Sequence, residues 1–400
     1  MQKILNAQRG KVYLGQQPVI LTGVNFGGWL MMEGYIMHAR NIAVQVFKKG
    51  FRKHLGVGAL EDFERSFHST FIQDSDFKNV AAMGFNCIRL PFHYRLIEKA
   101  PYQIDQNGLK FLDKAVDLAK QNGLWVILDL HAAVGAQNHD WHSDSLGPAE
   151  FWKKKSYEDR MVELWGFLAD HFKNEPAIAG YDVLNEAVLA DTKLLNHFYH
   201  RVIKRIRAVD PRHMIFIEGS RWAQDLECLD QFDDDNIVLS IHFYEASDFA
   251  FNLVPQQKYP QNRPGIYSRS RIEEVMDKHF KVAKRHKTPV YVGEFGVNSR
   301  GGLYGEDRWL RDVLAIFKSY GFHWTYWTYK AIKNAQHPDG LYSYYENPPW
   351  VNRGGILTGW ENYHLHWPLL KDKIVASWKT EHFRRNECVW NELKRALVKR

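Results

Sequence analysis

Short apolar runs rich in β-branched and aromatic residues recur along the chain at 19–26, 87–92, 126–131, 181–186, 215–218, 237–244, 290–295 and 324–329. Between them the apolar positions fall at helical spacing instead, as in 74–83, 109–122, 157–172, 194–209, 271–285 and 307–320. Strand-like runs alternating with amphipathic helices are the mark of parallel βα units, because each helix must carry the chain back to begin the next strand. Eight such runs predict an α/β fold, a (β/α)8 TIM barrel. Gly84, Gly123 and Gly321 stand where three of these helices should stop.

No composition shift or Pro/Gly/Ser linker divides residues 1–400, so one catalytic barrel domain is expected throughout. Stretches 29–71, 132–152, 245–270 and 331–368 lack periodicity and are expected as long loops on the C-terminal face, where barrel sites are built. The final segment, 369–400, is expected as an amphipathic helical segment packed on the barrel, with Trp378, Phe383, Val389, Trp390, Leu393 and Leu397 on one face.

Composition alters this picture little. Hydrophobic residues are 45% and charged residues 25% of the chain, enough for a large core and too apolar for disorder. The 14 Trp, 19 Tyr and 24 Phe exceed what a core needs, and flat rings with polar tips suit sugar faces. A net charge of +7 raises the question of a polyanionic partner, but the basic residues are dispersed and form no nucleic-acid module. Nucleic acid is therefore not expected as a partner, and membrane contact is left only to the basic tail 394–400. Cys87, Cys228 and Cys388 are odd in number and widely spaced, which fits a reducing compartment. With no signal-peptide-like or membrane-spanning run, the expectation is cytoplasmic, or secreted if a signal has been removed. Oligomeric state is left open.

The chemistry lies at the ends of the strands. Arg89, Asp129 with His131, Asn185 with Glu186, His242 with Tyr244, Glu294 and Trp327 gather where a strand that merely filled the barrel would need no polar group. Glycoside hydrolysis requires two carboxyls, one protonated to release the leaving group and one ionised to attack or to activate water. Glu186 and Glu294 supply them from the fourth and seventh strands, which face each other across the axis. Side chains at those strand ends can place carboxyls about 5 Å apart, the retaining separation. Arg89 is expected to keep Glu294 ionised, and the charge on Glu294 to raise Glu186 so that it holds a proton. Asn185 can hydrogen-bond a 2-hydroxyl, and Trp327 offers a ring for a pyranose face.

In this order the residues resemble glycoside hydrolase family 5, across nearly the whole chain. The family's functional set falls on Arg89, His131, Asn185, Glu186, His242, Tyr244, Glu294 and Trp327. The resemblance implies a retaining mechanism with Glu186 as acid/base and Glu294 as nucleophile. It further implies Tyr244 bonded to the nucleophile, His242 near the acid/base, and His131 with Asn185 reading sugar hydroxyls. The stretches GVNFGGWLMMEGYI, HSTFIQDSDFKNVAAMGFNCIRLPFHY and LDLHAAVGAQN are most similar to the exo-β-1,3-glucanase branch, which implies that Glu33 and Asn138 bind the terminal sugar. Ala187 replaces the proline usual after the acid/base, and Phe295 the tryptophan that follows the nucleophile in that branch. No cofactor is implied, and sugar, linkage and aglycone stay open.

Other readings compete. His139, Asp140, His142 and Asp144 cluster in the loop after the third strand, but their spacing matches no common zinc motif; no metal is expected there, with structural calcium left open. A non-catalytic carbohydrate-binding barrel would normally have lost one glutamate, and a transglycosylase would share every residue of the site.

Overall fold

The computed structural model describes residues 3–261, 267–353 and 359–398. The last two residues of the basic tail, and parts of the loops 245–270 and 331–368, lie outside them. Eight parallel strands close into a barrel, each pairing with the next in sequence and the last with the first. They are Thr22–Asn25, Cys87–His93, Trp125–Ala132, Ile178–Asp182, Met214–Glu218, Ile237–Phe243, Val290–Phe295 and His323–Tyr326. The expected fold class is the one observed, with the first, fourth, sixth and eighth strands shorter than expected. The fourth ends at Asp182, so Asn185 and Glu186 stand on the turn beyond it, and the eighth ends before Trp327.

The strand period of two divides the barrel interior into layers. Its lower layer is apolar, with Cys87, Ile127, Phe216 and Val238 in one cluster. Two residues further along the same strands stand Arg89, Asp129, Glu218 and Ser240, all fully buried. Below the apolar layer lies an element that the sequence pattern did not disclose, a three-stranded antiparallel sheet of Leu5–Gln8, Lys11–Leu14 and Gln17–Val19. Leu5, Ala7 and Val12 from this sheet join the cluster and cover the barrel floor.

Helices surround the barrel close to the expected positions. Asp74–Met83 starts in a capping box between Gln73 and Asp76 and ends on Gly84 at φ 102. Gln106–Gln121 begins earlier than expected because Asp105 caps it, accepting from the amides of Asn107 and Gly108.

The stretch 29–71 is not a simple loop. It folds into helices Val44–Leu55 and Val57–Thr70, whose Phe47, Phe51, Phe63 and Phe67 interlock with Trp360, Trp367 and Trp378. The segment 369–400 is also corrected, since its beginning completes a helix Tyr363–Ser377, and a turn and a short strand separate this from a second helix, Glu387–Leu397. Val389 and Leu393 of the second helix are buried, as the amphipathic pattern requires. Among the described residues, no helix is long and apolar enough to cross a membrane.

Candidate active site

A cavity of about 720 Å³ opens on the C-terminal face, and Glu186, Glu294, Glu33, His131, His242, Tyr244 and Trp327 all line it. One carboxylate oxygen of Glu186, one of Glu294 and a ring nitrogen of His242 lie within 4.8 Å of one another. That is the short separation of a retaining pair; an inverting pair would need roughly 6.5–9.5 Å to admit a water.

Glu294 is held from two directions, accepting from Arg89 Nη1 at 2.8 Å and from Tyr244 Oη at 2.8 Å. Glu186 sits at φ 49, a left-handed conformation uncommon outside glycine. Its backbone is locked there. The amide donates to Glu218 Oε2 at 2.6 Å, and the carbonyl accepts from Asn138 Nδ2 at 2.9 Å. Two imidazoles then clamp its carboxylate, His242 Nδ1 at 2.6 Å from Oε1 and His142 Nδ1 at 3.2 Å from Oε2.

This arrangement reverses the expected electrostatics. Burial alone would raise the Glu186 carboxyl, but the cations of His142 and His242, with His131 behind them, outweigh it and hold it down to about 2. Burial pushes Glu294 above the usual carboxylate range, the charge of Glu186 adds to this, and His242 and Arg89 offset it only in part. The reason lies in the company Arg89 keeps. Its guanidinium also contacts Asp129 at 3.2 Å, Asp182 at 2.9 Å and Glu218 at 3.2 Å, so its charge is divided among four carboxylates. Burial opposes charge on His242 and His142, yet neighbouring carboxylates, Glu218 foremost for the first and Glu186 for the second, raise both above their ordinary value. In the free site the exchangeable protons therefore sit on imidazoles, one hydrogen bond from Glu186.

Arg89 and Asn138, the second of them expected to bind the terminal sugar, both stand behind the cavity. Arg89 is fully buried, and its donors are spent on Asp182, Glu294, Asn185, Glu218 and Asn25. Asn138, also fully buried, bonds the Glu186 carbonyl and the Asp140 amide, so it positions Glu186. Asn185 is intermediate, with Oδ1 taken by Arg89 at 2.8 Å while Nδ2 has no partner among the described residues. Glu33 Oε1, 3.4 Å from His131 Nε2, is likewise buried without a hydrogen bond among the described residues. Such unsatisfied buried atoms are costly unless a ligand completes them.

The loop tetrad 139–144 does not assemble. Asp144 turns away to His93 Nε2 at 2.9 Å and to the Gln45 amide, whereas Asp140 accepts from Trp222 Nε1 at 2.7 Å. Among the described residues, the one grouping with ligand-like spacing is Glu186, His242 and Glu294 themselves, and its closest pair is already joined by a 2.6 Å hydrogen bond.

Sequence reasoning missed Glu218, Tyr35, Trp141, Trp222 and His337. Glu218 was within reach, because it ends the fifth strand as the other polar residues end theirs. The rest lie on loops, without a period to mark them.

Tyr35, Trp141 and His337 complete a closed circuit of rings. Tyr35 stacks on His337 at 4.8 Å, His337 meets Trp141 at 5.8 Å, and Trp141 meets His142 at 5.5 Å. His142 meets His131 at 6.2 Å, His131 stacks on Trp327 at 5.4 Å, and Trp327 Nε1 donates back to Tyr35 Oη. Gly27 underlies this wall, for a Cβ there would lie 2.7 Å from Thr328 Oγ1 and 2.8 Å from the Trp327 ring.

A (β/α)8 barrel whose mouth pairs two glutamates at this separation defines the class of retaining β-glycoside hydrolases. The family model for cellulase (glycosyl hydrolase family 5) matches residues 49–333. The chain belongs to that family and acts on carbohydrate. It is 33% identical to a beta-xylosidase of Phanerodontia chrysosporium over 78% of this chain and 68% of the relative. It is 27% identical to endoglucanase C of Acetivibrio thermocellus over 72% of this chain and 92% of the relative. An endoglucanase structure from Thermotoga maritima superposes with a TM-score of 0.62 at 21% identity, over 80% of this chain and 92% of the other, and shares the fold.

Proposed function

We propose that the protein is an exo-acting β-glucosidase that removes one terminal sugar at a time. Glu294 attacks the anomeric carbon as a carboxylate, while Glu186, having taken a proton from the imidazole hydrogen-bonded to it, gives that proton to the departing oxygen. The bond from carbon to aglycone oxygen breaks and a glycosyl ester forms on Glu294. Glu186, now ionised, takes a proton from water, whose oxygen attacks the same carbon and frees Glu294. Tyr244 and Arg89 fix the attacking carboxylate, and Glu33, His131 and Asn185 meet sugar hydroxyls.

The observation that carries the exo reading is the closed ring circuit. Tyr35, His337, Trp141, His142, His131 and Trp327 wall the end of the cavity that also holds Glu33. A polymer chain crossing the site would need an open path there. The names of relatives divide between glycosidases and endoglucanases, and the wall favours the first. Incubation with end-labelled β-gluco-oligosaccharides tests this. Monosaccharide from the non-reducing end is expected as the sole early product, with the β-anomer first by NMR. Early internal fragments would overturn exo action without touching the retaining chemistry.

A further inference from the structure

The same cavity continues past the two glutamates into a crevice for which the chemistry of one sugar has no use. It passes Trp222 and Phe251 and runs between the 3-10 turn Leu226–Cys228 and one face of the helix Arg269–His286, where Val275, Lys278, His279 and Val282 line it. These four positions are spaced i, i+3, i+4, i+7, so a single helical stripe forms the wall.

The crevice lies on the leaving-group side. Glu33 from the loop after the first strand, His131 from the third strand and Trp327 just beyond the eighth surround the glycone end, whereas the crevice opens beyond Glu186 and His242 toward the fifth and sixth. An acid on Glu186 must face the departing oxygen, so whatever that oxygen carries extends this way.

The lining identifies the occupant. Sugars are held by flat rings and convergent polar groups. Past Trp222 and Phe251 the walls are Leu226, Phe243, Val275 and Val282. The charges on the rim are largely consumed by each other, Arg271 by Glu245 at 3.0 Å, Lys278 by Glu274 at 3.3 Å, and Glu227 by Arg285. Arg221, Gln224, Asp225 and Ser247 also line the cavity, exposed or half-buried at its rim, and of the polar side chains in this stretch His279 is the one buried in the floor. His279 is 9% exposed, lines the cavity and has no hydrogen-bond partner among the described residues. Burial lowers its imidazole to about 4, so it is neutral and can give or take a single hydrogen bond.

From this geometry we infer that the crevice is an aglycone site for an apolar chain, an alkyl or lipid-like alcohol with at most one polar group along it. The inference rests on the exo-glucosidase reading and adds the chemical class of the leaving group.

The test compares kcat/KM for methyl, hexyl and octyl β-glucosides, each below its micellar concentration, with cellobiose and laminaribiose alongside. Efficiency is expected to climb with chain length by on the order of tenfold or more from methyl to octyl, since each added methylene leaves water. Val275→Asp should bring the octyl-to-methyl ratio toward one, a comparison made within one variant and so independent of how much of it folds. The non-hydrolysed octyl β-thioglucoside should inhibit 4-nitrophenyl β-glucoside hydrolysis more strongly than its methyl counterpart, and this reads the site in the unaltered enzyme. A flat chain-length series, with disaccharides preferred and equal inhibition by the two thioglucosides, would overturn the crevice assignment. Failure of the exo reading shows separately, as internal cleavage of oligosaccharides.

Discussion

At the scale of single residues, the two glutamates differ less in what they are than in what surrounds them. Replacing Glu294 with Ala should abolish turnover on every substrate. Glu186→Ala should lose about 10²- to 10⁴-fold on unactivated glycosides and far less on dinitrophenyl glycosides, whose leaving group needs no proton. Steady-state kinetics on the two substrate types checks both. The imidazole clamp carries its own test. His142 helps hold Glu186 ionised, so His142→Asn should let that carboxyl rise. Deglycosylation needs Glu186 ionised, and the acid limb of kcat on dinitrophenyl glycosides should accordingly move to higher pH. A limb that stays in place would remove His142 from this role. Glu218 shows how a residue outside the cavity can govern one inside it. Its oxygens accept from Arg89 and the Glu186 amide and contact His242 Nε2 at 3.1 Å. Gln at 218 would set an N–H against one of these donors. Leaving one buried polar group unmatched should lower kcat roughly 10- to 100-fold with KM little changed.

At the scale of elements, the segments outside the barrel pattern are fastened by polar groups as much as by rings. Lys330, fully buried, donates to the Trp378 carbonyl at 2.6 Å and to Thr380 Oγ1 at 3.0 Å, and so holds the end of the helix Tyr363–Ser377. Its ammonium also lies over the rings of Phe71 and Phe383. Burial lowers this amine from 10.5 to about 8. Between those values the unfolded chain binds the proton and the folded chain does not, so this group makes stability rise as pH goes from about 8 to 10.5. In Lys330→Met that rise should vanish from the difference between urea midpoints measured at pH 7.5 and pH 10. An unchanged difference would mean that Lys330 does not titrate in this window.

At the scale of the whole molecule, the barrel separates stability from chemistry along its axis. The floor, sealed by Leu5, Ala7 and Val12, is apolar, and the mouth holds the buried charged cluster of Arg89, Asp129, Asp182, Glu218, Glu186 and Glu294. Leu5→Ala empties a fully buried position and should cost about 2–5 kcal/mol in chemical denaturation, while KM for an aryl glucoside stays where it was. A shift in KM would show that floor and mouth are mechanically coupled. The separation follows from the strand period. Residues two apart point the same way, so one strand contributes Cys87 to the apolar layer and Arg89 to the charged one.

The chain by itself determined the eight strands, the barrel and the glutamate pair, because strand and helix periods are local and because polar residues at the ends of apolar strands have no packing reason to be there. Helices Val44–Leu55 and Val57–Thr70 stayed hidden. Neither has a side-chain cap, Gly50 and Gly56 interrupt the pattern, and their partners Trp360, Trp367 and Trp378 lie some three hundred residues away. The N-terminal sheet stayed hidden because strands of three or four residues leave too short a pattern to read. Tertiary structure alone decided the balance of charge at the site. Which carboxylate is held ionised depends on how many partners share Arg89 and on where two imidazoles point, one from a strand and one from a loop, and distances in space set both.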